Sequence, residues 1–219
     1  RRVGSRRPLS EGGDAPDAVV RSPKASTGRN QKTAMPLPLN ARIVVIGGGV
    51  VGCSIAYHLA VIGEKDVVLL EKSGLTHGAT WHAAGLIGQL RSSRNLTLMM
   101  QYSADLFGKL AQETGVATDW KPVGSLRLAS SNARWEEIKR AHGQAKAFGL
   151  EMELMSASEA HNLFPYMSKD GVVGAAFIPS DGHIDPSGVT QAMAKGARNG
   201  GIEIYEGVQV TDLVVTERR

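Results

Sequence analysis

The chain has 219 residues, with 25 Lys and Arg against 21 Asp and Glu, one Cys and 42% hydrophobic residues. That apolar content excludes a wholly disordered chain, and a single Cys excludes an internal disulfide framework or a zinc site made of Cys alone. The net charge of +4 invites a nucleic-acid reading, but residues 1–40 hold eight bases and three acids while residues 41–219 hold 17 bases and 18 acids, so the folded part makes no electrostatic case for nucleic acid.

Residues 1–40 are rich in Gly, Pro, Ser and Arg and lack an apolar period, which reads as a disordered basic tail. A secretory signal needs an apolar core of about 7–15 residues, and none follows Arg1-Arg2 or Arg6-Arg7. The Arg content suits a mitochondrial transit peptide, whereas Glu11, Asp14 and Asp17 do not; bacterial cytoplasm and mitochondrial matrix both stay open. Met35, just before the first strand, is itself a candidate start. Ile43 to Gly63 contains no acid, Lys or Arg and is long enough to span a bilayer. Its glycines, His58 and the change from a β-branched run to helical spacing instead predict a buried strand–turn–helix, with no membrane span.

Arg42–Ile46 reads as a fully buried strand, and Gly47-Gly48-Gly49-Val50-Val51-Gly52 fits G-x-G-x-x-G. Val51, Ile55 and Leu59 mark the expected core face of the helix that follows, which Gly63 ends. Asp66–Leu70 reads as a second buried strand, with Glu71 at its carboxyl end. The chemistry of a dinucleotide needs each part. Gly47 makes the tight turn, Gly49 lets backbone approach a pyrophosphate, and Gly52 lets helix and strand pack closely. The helix start at Val50 and Val51 offers free N–H groups and a partial positive charge. Glu71, nineteen residues past Gly52, suits ribose hydroxyls. An acid there argues against NADP and does not separate NAD from FAD. From Lys72 to Ile87 the chain turns to small residues without a period, as backbone does along a large planar ligand.

Further along, Asn95–Glu113 predicts a helix with Met99, Tyr102, Leu106 and Leu110 on its core face. Gly124–Ala129 reads as a strand, with Arg127 on the opposite face from Leu126 and Leu128, either meeting a substrate carboxylate or solvated. Asn132–Phe148 is a second amphipathic helix, and Ser156 with Glu159 fits a capping box. Val172–Ile178 is a strand, and Asp185 and Pro186 open a helix running to about Arg198. Ile202, Ile204, Val208, Val210 and Leu213 read as strands. Cys53 reads as a small buried residue, and His58 and His77 as structural.

The segment Gly78-Ala79-Thr80-Trp81-His82-Ala83-Ala84-Gly85-Leu86, after Glu71-Lys72-Ser73, resembles the dimethylglycine/sarcosine dehydrogenase family of D-amino-acid-oxidase-like flavoproteins. Asp181-Gly182-His183-Ile184-Asp185-Pro186 is similar to a turn of that family, and the resemblance runs from about Ala41 to Val214. It implies an α/β fold: a Rossmann-like FAD-binding domain over 41–90, interrupted by part of an α+β substrate domain over 91–185 and resumed over 186–219. It implies FAD held by Gly47, Gly49, Val50, Val51, Gly52, Glu71, Lys72 and residues 78–86, with Val210 beside the adenine. It also implies that His82 carries the flavin covalently through the 8α-methyl group, a bond that a neutral imidazole can form as a nucleophile by adding to an 8α quinone-methide form of the oxidised flavin, the methyl C–H having given up its proton and the ring taking the electron pair. Without the resemblance, His82 reads as a hydrogen-bonded neighbour of the cofactor, Trp81 as a packing residue, and His183 equally as a substrate neighbour or a brace of its turn.

For activity, the resemblance implies oxidative N-demethylation of dimethylglycine or sarcosine. The methyl carbon gives up a hydride to flavin N5 from about 3–3.5 Å. Tetrahydrofolate on a C-terminal region takes the one-carbon unit, and an electron-transferring flavoprotein takes the electrons. The rival readings are an amine oxidase passing electrons to oxygen, a regulatory subunit that keeps the fold without turnover, and a plain NAD-binding protein. A piece of such a fold is expected to expose unpaired strand edges.

Overall fold

The computed structural model describes residues 36–215, so the leader reading and residues 1–35 of the tail read over residues 1–40 lie outside it. Its centre is a three-stranded parallel sheet, β1 (Ile43–Ile46), β2 (Val67–Glu71) and β8 (Glu203–Glu206), in the order β1-β2-β8. In the central strand β2, residues 67–70 are all buried, as a parallel strand covered on both faces must be. The first strand departs from expectation. β1 lies at the outer edge of the sheet, so of its four residues only Val45 is buried and Ile46 is 53% exposed.

Two helices cover one face of this sheet, α1 (Val50–Val61) and α5 (Pro186–Asn199), and they pack closely on each other. The expected core face of α1 is corrected by this packing. Val51 and Ile55 are exposed, and the buried residues are Gly52, Cys53, Ala56 and Tyr57. Gly196 of α5 lies against the Tyr57 ring and Gly200 against Ala60, an approach so close that the small-residue face of α1 turns inward. α5 opens as expected: the Asp185 carboxylate accepts from the N–H groups of Ser187 and Gly188, and Pro186 occupies the first helical position.

Between β2 and α5 the chain builds a second sheet. β4 (Ser125–Ala129), β5 (Glu153–Met155) and β6 (Gly174–Ile178) are antiparallel in the order β4-β6-β5. Helix α3 (Asn132–Ala147) packs Ile138 and Ala145 against Ala129, Ala176 and Ile178. The short helix α4 (Ala157–Leu163) has the expected capping box, in which Ser156 accepts from Glu159 N–H while the Glu159 carboxylate accepts from Ser156 N–H. Helix α2 (Arg94–Thr114) corrects another expected face: Leu110 is buried, but Met99 and Tyr102 are exposed, and Thr97, Ala104 and Thr114 face inward instead.

After β8 the chain leaves the ladder earlier than its apolar residues suggest. Gly207 N–H donates to the Ser73 carbonyl in the loop after β2 and Val208 N–H to the carbonyl of Glu71, the last residue of β2, so the pairing stops there. Val208 and Val210 pack beside Val68, Leu70 and Tyr205 without strand pairing. Among the described residues, no helix is long and apolar enough to cross a membrane.

Candidate functional site

The site grows from the bend between β1 and α1. Gly47 leaves the strand at φ 107°, which favours glycine. A Cβ on Gly52 would collide with the Gly47 carbonyl oxygen, so helix and bend meet at a distance only glycine permits. Gly48 is the hub. Its N–H donates to the Glu71 carboxylate at 2.6 Å, its carbonyl accepts from Thr76 N–H at 3.0 Å, and Leu75 closes over it.

Glu71 also accepts from Ser73 N–H at 2.8 Å. Burial pushes this carboxyl upward, but the Gly48 and Ser73 donors, helped by Lys72 and His77, outweigh it and hold the group below its ordinary value of 4.5. A carboxylate has about four acceptor positions, so two backbone donors leave room for hydroxyl donors.

The stretch from Lys72 to Leu86, singled out for its small residues, folds as a loop over this bend. Its 3₁₀ turn, Thr80–His82, is fixed by Thr80, whose Oγ1 accepts from Val50 N–H at 3.0 Å at the very start of α1. Thr80 is buried, yet the next two side chains are presented outward: Trp81 is 58% exposed and His82 is exposed. Their rings lie 3.8 Å apart between centroids, tilted by 34°, so the indole flanks one face of the imidazole. Lys72, Gly78, Ala79, Ala83 and Ala84 are exposed along the same loop, while Gly85 is buried.

β3 (Leu86–Ile87) then pairs antiparallel with β7 (Gly182–His183). The two segments that carried the family resemblance, far apart in sequence, are therefore neighbours. A Cβ on Gly85 would collide with the Ile184 carbonyl, and one on Gly182 with the Lys121 carbonyl. Leu86 and His183 are directly opposed, so their side chains share a face, on which Leu86 is 77% exposed. Arg127 is opposed to Ala176, and Ala176 packs in the cluster beneath α3. That register places Arg127 on the helix-covered face of its sheet, away from the Leu126, Leu128 and Phe177 face. Val210, expected beside an adenine, is half-buried on the cluster formed by Val68, Leu70 and Tyr205.

Two acids escaped the sequence reading. Glu206 ends β8 as Glu71 ends β2, in register with it, and accepts from Leu75 N–H at 3.0 Å. Asp181, only 1% exposed, accepts hydrogen bonds from Gln89 and Ser125. The sequence signal for Glu206 was weak, an acid closing an apolar run; Asp181 opens the turn that runs to Pro186, but no partner for it is legible in its neighbours.

These residues fit an adenine dinucleotide. Gly49, the cap residue of α1, has no side chain to close the helix, and among the described residues the N–H groups of Gly49, Val51 and Gly52 find no acceptor. Free donors at a helix start, with a carboxylate at the end of the adjoining strand, are the donor and acceptor set that pyrophosphate and ribose require.

Comparison with known proteins gives the same direction. Residues 42–219 match the family described as DAO, FAD dependent oxidoreductase. Human mitochondrial sarcosine dehydrogenase is 39% identical over 186 residues, covering 84% of this chain and 20% of that protein. Rat mitochondrial dimethylglycine dehydrogenase is 42% identical over 173 residues, covering 79% of this chain and 20% of the relative. Among solved structures, L-proline dehydrogenase from P. horikoshii superposes with a TM-score of 0.75 at 31% identity, covering 80% of this chain and 46% of that one. The chain thus spans about a fifth of the length of these curated relatives. With the glycine bend, the acid-ended strand and the match over nearly all of the folded part, the chain belongs to the DAO family of FAD-dependent oxidoreductases.

Proposed function

We propose that this chain is the FAD-binding portion of an amine dehydrogenase that removes an N-methyl group from sarcosine or dimethylglycine, with the flavin bonded to His82. The observation that carries the reading is the exposed Trp81–His82 ring pair, held at the open side of the glycine bend by Thr80. The relatives named sarcosine and dimethylglycine dehydrogenase supply the substrate class.

In this reading, the N–H groups of Gly49, Val51 and Gly52 hold the pyrophosphate and Glu71 holds the ribose. The small residues from Gly78 to Leu86 let backbone lie along the ring system, and the side chain of His82 anchors its edge. FAD supplies the two-electron acceptor for a hydride leaving the N-methyl carbon of the neutral amine. Water then splits the resulting iminium into formaldehyde and the demethylated amine, or tetrahydrofolate on a further region takes the one-carbon unit. The electrons pass on to an electron-transferring flavoprotein. The chain's own work is binding and orientation, because a neutral amine needs no protein base.

The test is acid precipitation of the flavin-loaded protein. The expected result is yellow colour in the pellet for the natural sequence and in the supernatant for His82→Ala. Colour that washes free of the natural protein overturns the bond to His82, and peroxide formation with sarcosine or dimethylglycine overturns the dehydrogenase assignment.

A further inference from the structure

Asp181 is a carboxylate in the interior: it is 1% exposed, and among the described residues it forms no ion pair. Both of its oxygens are nonetheless used. One oxygen accepts from Gln89 N–H at 2.8 Å and from Gln89 Nε2 at 3.3 Å, and the other accepts from Ser125 Oγ at 2.6 Å. Its backbone carbonyl accepts from Gly124 N–H at 2.8 Å. The residues so joined belong to different parts of the fold. Gln89 follows β3 at the end of the His82 loop, Ser125 opens β4 of the second sheet, and Asp181 itself leads into β7 and His183.

This junction has little freedom to slide. Gly85, Gly124 and Gly182 each lie so close to a neighbour that a Cβ would collide, with the Ile184 carbonyl, the Phe177 ring and the Lys121 carbonyl respectively. Gln89 is 4% exposed, so little of it is open to water as a substitute partner for its backbone N–H.

We propose that Asp181 is a positioning residue for the flavin reaction: its carboxylate locks the end of the His82 loop to the second sheet, so that the loop bearing the flavin anchor and the sheet beyond it are held as one body. The proposal rests on the flavin reading above for its functional consequence, and on the hydrogen bonds alone for its structural one. A glutamine or asparagine in place of the acid keeps an acceptor, but only asparagine keeps its reach. Asp181→Asn can retain both bonds from Gln89 at its carbonyl, while the Ser125 hydroxyl turns to accept from the new amide. Asp181→Ala strands the buried Gln89 N–H.

The experiment compares Asp181→Ala, Asp181→Asn and Ser125→Ala in the flavin-loaded protein, reading acid-stable flavin and amide hydrogen exchange together. In Asp181→Ala, exchange at Gln89 should quicken by about a hundredfold while the α3 core amides at Ile138 and Ala145 keep their protection. Acid-stable flavin in that variant should fall about tenfold, because the anchor geometry loosens. Ser125→Ala, which leaves both Gln89 bonds in place, should fall between Asp181→Ala and the natural protein in both readouts. Asp181→Asn should restore both readouts to within about twofold. Unchanged exchange at Gln89 in Asp181→Ala overturns the proposal, and so does loss of protection throughout α3, which would make Asp181 a general stability residue. Failure of Asp181→Asn to restore flavin attachment overturns it as well. Absence of acid-stable flavin from the natural protein speaks against the bond to His82, and exchange at Gln89 then decides the role of Asp181 by itself.

Discussion

The glycine bend and the Trp81–His82 turn sit side by side in the molecule, yet they are built on opposite plans. At the bend, the polar groups of Gly48 are occupied: Glu71 takes its N–H, Thr76 donates to its carbonyl, and Leu75 covers it. At the turn, both rings stand exposed, and Thr80 supplies the bond that ties them to α1. The bend is a cradle whose shape is decided by close contact, whereas the turn presents two exposed rings and is tied to α1 by the Thr80 hydrogen bond. A dinucleotide needs the first to be prebuilt, because phosphate oxygens are recognised by fixed backbone donors. The covalent anchor proposed above needs the second to be accessible, because a bond must form to an incoming ring.

The contrast is most severely tested with glycines. Gly52→Val should cost about 3 kcal/mol or more, because the new Cβ meets a backbone oxygen rather than a yielding side chain. The Gly47 backbone cannot move aside without disturbing its own N–H bond to Leu70 at 2.8 Å. Gly78→Ala, at the edge of the turn, meets nothing within 4 Å and should change stability by less than about 0.5 kcal/mol. Urea unfolding of the two variants measures both, and equal effects would erase the distinction between crowded cradle and open turn.

How much of this is legible in the sequence follows the same division. The strand, bend, helix and acid-ended second strand were readable because their signals are local: a β-branched run, glycine spacing and one carboxylate. The face of α1 was not, because the choice between Val51 and Ile55 on one side and Cys53 and Ala56 on the other is made by Gly196 and Gly200 of α5, distant in sequence. The exposure of Ile46 likewise depends on strand order, which places β1 at the edge. Within the candidate site, the motif marked His82, but nothing local showed that Thr80 caps α1, that Glu206 reaches Leu75, or that Leu86 faces His183. Those are contacts between segments, which periodicity does not encode.

Thr80 is the link between the two plans, so it sharpens the comparison at intermediate cost. Thr80→Val keeps the shape of the side chain and removes the acceptor for Val50 N–H. The loss should be about 1 kcal/mol in thermal or urea unfolding, the usual effect of removing a helix cap. Thr80→Ser should recover it. If the turn is aimed by this bond, acid-stable flavin should fall in Thr80→Val and return in Thr80→Ser, although His82 is unaltered in both. Wild-type attachment in Thr80→Val would show that the turn holds its direction without the bend.

The smallest effect belongs to Glu71, and it comes from the cradle side. Its two backbone donors hold the folded-state carboxyl below the ordinary 4.5, despite the opposing pull of burial. A group depressed in this way binds fewer protons when folded than when unfolded. Its contribution is therefore complete above the unfolded value and drains away as pH falls through the folded one. Stability measured from pH 6 downward should accordingly decline below about pH 4.5, and Glu71→Gln should flatten that part of the profile. The change should stay under about 1 kcal/mol, because the carboxylate is only partly buried and solvent screens it. An unchanged acid profile in Glu71→Gln would mean that the Gly48 and Ser73 donors are satisfied as well by a neutral amide oxygen, and the bend would then owe its rigidity to glycine contact rather than to charge.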